Sequence, residues 1–138
     1  MKSISKLLLS LAFILLISIS AKAQEPNFTV NWNSYCEVQS QDSYYKVTWF
    51  LEYIPTHANV KDGSVTGISL QNSSQFIEIP GWDCNIDEYP SNYRIWVRVE
   101  RFQNDHTTIT CSGEGRSSDK RCSELYDGVT LSVNMTYP

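Results

Sequence analysis

Few side chains in this 138-residue sequence could do acid–base chemistry. There are two histidines, His57 in IPTHANV and His106 in NDHTT. Imidazole changes charge near neutral pH, so a hydrolase or isomerase would bring one of them against a carboxylate such as Asp105. Both lie in segments that read as loops, where a lone histidine is ordinarily solvated. The sequence has no G-x-S-x-G nucleophile turn, no H-E-x-x-H zinc pair and no Gly-rich phosphate loop opening a helix. Its four cysteines, Cys36, Cys84, Cys111 and Cys122, lack the C-x-x-C or C-x-x-H spacing of a zinc site. The acidic group WDCNIDEYPSN gathers Asp83, Asp87 and Glu88, oxygen ligands on a pinned loop and weak calcium candidates, although their spacing matches no EF-hand. The expectation is a protein that is not an enzyme and needs no cofactor.

Binding chemistry is better represented. The stretch YRIWVRVERF, residues 93–102, alternates Tyr93, Ile95, Val97 and Val99 with Arg94, Trp96, Arg98 and Glu100, so a tryptophan shares the charged face with two arginines. In YKVTWFLEY the core parity of Tyr45, Val47, Trp49, Leu51 and Tyr53 sends Lys46, Thr48, Phe50 and Glu52 outward. If the two segments pair, Phe50 and Trp96 share one sheet face, flanked by Lys46, Arg94 and Arg98. A rigid aromatic in such a setting suits a protein hot spot or sugar stacking. The structural alternatives are Arg94 or Arg98 stacked over the indole, or the 111–122 segment folded across it.

The elements that must position these residues read as strands throughout. NFTVNW, YKVTWFLEY and GVTLSVNMTY alternate cleanly, VTGISL, QFIEI and TTITC are shorter, and no segment of useful length has helical spacing. Turn signals fall at Pro55, Asp62-Gly63, Asn72 to Ser74, Pro80-Gly81, Pro90-Ser91, Asn104-Asp105, Gly113 to Gly115 and Asp127-Gly128. About seven short strands in one domain predict an all-β, antiparallel two-sheet sandwich, with a small β-barrel as the runner-up. The spacing of Pro90, Tyr93, Ile95, Val97 and Val99 resembles the penultimate strand of immunoglobulin-like and fibronectin type III domains. That resemblance implies an architecture and nothing about activity, because the Cys…Trp…Cys spacing of immunoglobulins is not met.

The opening MKSISKLLLSLAFILLISISAKAQ has basic residues, an apolar run and an A-x-A ending, the order of a secretory signal over residues 1–23. Residues 24–138 then form the single mature domain, with no membrane attachment after cleavage. Lys2, Lys6 and Lys22 leave with the signal, so eight basic residues face fifteen acidic ones, a net charge of −7. This balance excludes nucleic acid as the main partner and suits a basic protein partner. Export to a secreted or periplasmic setting predicts two disulfides. The favoured pairing is Cys111–Cys122 and Cys36–Cys84, because CSGEGRSSDKRC reads as a turn whose ends lie side by side. Asn27, Asn72 and Asn134 open N-x-S/T tripeptides, but the AKAQ ending reads as bacterial, where these carry no glycan meaning. The sequence therefore points to an exported binding module with a protein partner. A carbohydrate module using its exposed aromatics is the first alternative. An enzyme inhibitor presenting the 111–122 loop, with Arg116 as its contact, is the second.

Overall fold

The computed structural model describes residues 24–82, 84 and 92–138. Residues 1–23, which read as a secretory signal, and the calcium candidates Asp83, Asp87 and Glu88 lie outside the described residues. Among the described residues, seven strands and one short helix follow in chain order: β1 (Asn27–Ser34), β2 (Asp42–Tyr53), β3 (Ala58–Ile68), β4 (Ser74–Glu78), β5 (Tyr93–Gln103), β6 (Ile109–Arg116), α1 (Cys122–Asp127) and β7 (Val129–Met135). They build a two-sheet sandwich, one sheet ordered β4-β1-β7 and the other β3-β2-β5-β6. All pairs are antiparallel except β1 with β7. The chain leaves β6, turns through α1 and enters the other sheet, so β7 arrives running the same way as β1.

The alternation read in the sequence is the alternation of burial. Phe28, Val30 and Trp32 from β1 and Val129, Leu131, Val133 and Met135 from β7 face Tyr45, Val47, Trp49 and Leu51 from β2 and Ile95, Val97 and Val99 from β5, and all are buried. Trp49 makes an edge contact with Phe28, 5.6 Å between ring centres, and Trp32 one with Tyr45 at 5.3 Å. Both are favourable for quadrupolar rings and tie the two sheets together.

Two glycine signals read as turns lie inside strands instead. Gly63 belongs to β3 because the Trp49 indole occupies the space above it: a Cβ there would come within 2.7 Å of the ring. Gly113 belongs to β6 because β7 crosses it, and a Cβ would meet the Asn134 carbonyl oxygen. In both cases glycine marks close approach rather than a bend.

That difference overturns the favoured disulfide pairing. The bridges are Cys36–Cys111 and Cys84–Cys122, with Cα atoms 6.0 and 5.9 Å apart. Cys111 pairs with Arg101 at one end of β5, whereas Lys120, just before Cys122, pairs with Tyr93 at the other. Eight positions of extended chain separate those ends, about 26 Å, so Cys111 and Cys122 cannot meet. Cys36 instead joins the end of β1 to β6 across the sandwich. Cys84 ties the segment after β4 to α1.

The helix has no counterpart in the sequence reading. It has six residues, too few for a periodic signal, and it starts where the Glu124 carboxylate accepts the Arg121 backbone N–H at 2.8 Å. Leu125 is its buried contribution to the core. Among the described residues no helix is long and apolar enough to cross a membrane.

Candidate functional site

The register of the four-stranded sheet fixes what stands beside Trp96. Phe50 is its cross-strand partner on β2 and Arg116 its partner on β6, with Asp62 of β3 opposite Phe50. The outer face thus carries a row Asp62, Phe50, Trp96, Arg116, and the next row is Ser64, Thr48, Arg98, Glu114. The expected pairing of Phe50 with Trp96 is present: the rings lie 5.8 Å apart and 12° from parallel. The cation over the indole is neither Arg94 nor Arg98, however. It is Arg116, 5.2 Å from the ring centre. Trp96 is therefore stacked on both faces, by Phe50 on one side and a guanidinium on the other, and is half-buried although it points away from the core.

The indole edge is held as well. Trp96 Nε1 donates to Glu52 Oε2 at 2.6 Å, and His57 Nδ1 lies 2.6 Å from Glu52 Oε1. An ionised carboxylate can only accept, so the His57 Nδ1 donates to it. Covered by these neighbours, Glu52 is 8% exposed on what parity makes the outer face. The His57 hydrogen bond, then that of Trp96, then the charge of Arg94 hold its carboxyl below the usual carboxylate range, against the opposing effect of burial. Arg94 lies 4.0 Å from Glu52 and makes its short contact, 2.7 Å, to Asp119. Arg98 bridges to Glu114 at 2.9 Å and lies 3.9 Å from Glu100. Lys46 stands opposite Glu100 in the register and makes no ion pair among the described residues.

Beside the aromatic pair the surface dips into a cleft of about 250 Å³ lined by Thr48, Phe50, Trp96, Arg98 and Glu114. Its walls are an apolar ring pair on one side and the solvent-exposed Arg98–Glu114 ion pair on the other. A second groove of about 420 Å³, between Arg116 to Lys120 and the start of β7, is more polar and contains the Lys120–Glu124 ion pair.

The residues singled out in the sequence divide clearly. Phe50, Trp96, Lys46, Arg94, Arg98 and Arg116 all come together on one face, Arg116 by way of a strand and not of a presented loop. The bridged 111–122 loop of the inhibitor reading does not form. The histidines do not meet: His57 is in the β2–β3 turn and His106 in the β5–β6 turn, at opposite ends of β2. Both sit at positive φ, 54° and 59°. Asp105 is used inside its own turn, where the Thr108 hydroxyl and the backbone N–H groups of Thr108 and Thr107 hold its carboxyl down at about 2. Among the described residues no group of three or more His, Cys, Asp or Glu is placed to hold a metal ion.

Two features escaped the sequence reading. Tyr44 and Phe102 form a second stacked cross-strand pair on the same face, 5.5 Å apart and 13° from parallel, and both were visible as outward-parity aromatics. Arg101 points inward and is fully buried, bonded to Asp42 at 3.0 Å, to the Thr110 hydroxyl and to the carbonyls of Cys36 and Glu37. Its signal was a charge at a core-parity position, which in a strand implies a buried partner.

Comparisons with protein-family models, curated protein sequences and solved structures find no match to this chain.

Proposed function

We propose that this chain is an exported binding domain that engages a protein partner through the outer face of the four-stranded sheet, with Phe50 and Trp96 as its anchor. One observation carries the reading: an apolar ring pair on the outer face, beside a cleft and flanked by the Arg94–Asp119 and Arg98–Glu114 ion pairs. That arrangement is the anatomy of a protein hot spot, a desolvatable centre with a polar rim. The double cover of Trp96 favours a protein over a sugar. A pyranose ring stacks on an open aromatic face, and here Phe50 and Arg116 occupy both faces of the indole. What the row offers outward is ring edge, the exposed side of Phe50 and a cleft sized for a side chain. Preformed ion pairs at Arg94, Arg98 and Glu114 limit the side-chain ordering that association must cost. The two disulfides fit an oxidising compartment, and the signal-like opening of the sequence fits export.

The test uses the oxidised mature chain, residues 24–138, against a panel of co-exported proteins and, in parallel, a glycan array. Phe50→Ala and Arg98→Glu change exposed side chains and leave the core untouched. Protein binding that both variants weaken tenfold or more at unchanged melting temperature supports the reading. Retention of all binding by both variants, or glycan binding that both abolish, overturns it.

A further inference from the structure

The face carries two aromatic pairs, and their spacing defines the shape of what can lie on it. Phe50 with Trp96 and Tyr44 with Phe102 sit on the same two strands in one uninterrupted ladder, six positions apart. At an extended rise of about 3.3 Å per residue the two anchors stand about 20 Å apart. The rows between them are Thr48 with Arg98 and Lys46 with Glu100. Arg98 and Glu114 neutralise each other, and Glu100 is nearly covered, its side chain 13% exposed. Lys46 is left as the charge without an ion-pair partner among the described residues on that strip.

We infer that the partner presents an extended segment along β2 and β5, with two apolar side chains six residues apart and a carboxylate between them that meets Lys46. The inference rests on the binding reading given above and adds the chemistry of the occupant. An extended chain has the same rise as the strands beneath it and the same right-handed twist, so its side chains at i, i+2, i+4 and i+6 fall over four successive rows. The end positions meet the aromatic pairs. One middle position lies over Lys46 and takes the carboxylate, and the other lies over the Arg98–Glu114 pair. A probe with glutamate at both middle positions therefore meets Lys46 in either direction. A helix rising 1.5 Å per residue needs about thirteen residues to span the same anchors and does not follow the twist. The net negative charge of the domain does not oppose this, because beyond about 8 Å it is screened at physiological ionic strength while a direct Lys46 contact is not. Charge complementarity along the strip sets register and orientation of the segment.

The probe is a capped nine-residue peptide of threonine with tryptophan at its second and eighth positions and glutamate at its fourth and sixth. It is titrated into the 15N-labelled, oxidised mature chain. Shift changes should appear at both aromatic pairs and at Lys46. A peptide with its tryptophans four residues apart, and one with lysine in place of glutamate, should each bind at least tenfold more weakly. Lys46→Glu should reverse the preference between the glutamate and lysine peptides, and Phe102→Ala should reduce the long peptide to the affinity of the short one. Equal binding of long and short peptides, with shifts confined to Phe50 and Trp96, overturns the two-anchor inference and leaves the single-anchor reading standing. Absence of shifts at this face with every peptide overturns the inference. The reading itself fails separately, in the Phe50→Ala and Arg98→Glu comparison.

Discussion

Trp49 and Trp96 lie in adjacent strands on opposite sides of one sheet, and replacing each with alanine separates a core residue from a surface one. Trp49 is 4% exposed, packs edge-on against Phe28 and fills the space over Gly63. Its removal leaves a cavity between the sheets and should cost about 3–5 kcal/mol. Trp96→Ala loses the stack on Phe50, about 0.5–1.5 kcal/mol beyond area burial, and the Arg116 contact, about 0.5–1 kcal/mol. The Glu52 oxygen that loses its indole donor is rehydrated on the outer face and no void opens in the core, so the total for Trp96 is about 1–2.5 kcal/mol. In a domain of this size 1 kcal/mol shifts the melting temperature by about 4 °C, so drops of about 12–20 °C for Trp49→Ala and about 4–10 °C for Trp96→Ala are expected. Urea denaturation of the oxidised mature chain, followed by far-ultraviolet circular dichroism, measures both without relying on the mutated indoles. Equal destabilisation by the two substitutions would refute the reasoning. The outer row would then belong to the fold's stability and not to a surface free to bind.

Arg101→Met should destabilise by about 3–5 kcal/mol, because it leaves the Asp42 carboxylate buried without its cation; replacing Asp42 and Arg101 together with apolar residues should recover most of that loss in a double-mutant cycle. Removing the Cys36–Cys111 bridge with paired serines releases a loop of 75 residues and should cost about 4.5 kcal/mol by chain entropy, slightly more than the 38-residue Cys84–Cys122 bridge at about 4 kcal/mol. The Asp105 carboxyl is depressed in the folded turn to about 2, so its contribution is complete above the unfolded value near 4 and is lost as pH falls toward 2. The stability difference between the wild type and Asp105→Ala should narrow over that range in acid denaturation series. The Glu52 carboxyl is likewise lowered, so the Trp96 indole N–H resonance should titrate with a midpoint below 4.5, and a midpoint above that value would contradict the hydrogen bond.

The strands were legible because parity is a local property. β1, β2, β5 and β7 announce themselves by side chains alternating between water and core, a pattern that burial on one face produces, whereas β3 and β6 were legible only in part, as VTGISL and TTITC. Register and bridging are not local. Whether a glycine bends the chain or makes room for a neighbour depends on what crosses above it, and nothing within SGEGR names Val133 or Asn134 as the crossing residues. The reading of residues 111–122 as a turn, the false Cys111–Cys122 pairing and the inhibitor loop built on it all descend from that one ambiguity. The six-residue helix was invisible for a different reason. One buried leucine and a carboxylate three residues past its N-cap make a cap and no period.

The same distinction governs the site. Parity alone placed Phe50 and Trp96 on one face with Lys46, Arg94 and Arg98. It could not say that Trp96 faces Arg116, because that contact needs the register of β6, the strand whose glycines were misread. The tryptophan between two arginines in sequence is in space a tryptophan between a phenylalanine and a third arginine, hydrogen-bonded at its edge to a carboxylate that a histidine also holds. Arg94 and Arg98 flank the indole along the strand and point their charges at Asp119 and Glu114 instead. A ring clamped in this way has little rotamer freedom left to lose on association, which is the condition under which an aromatic anchor contributes most of its contact area to affinity. It also has no open face to give a flat ligand, so under the proposed binding role a partner would meet it with a side chain.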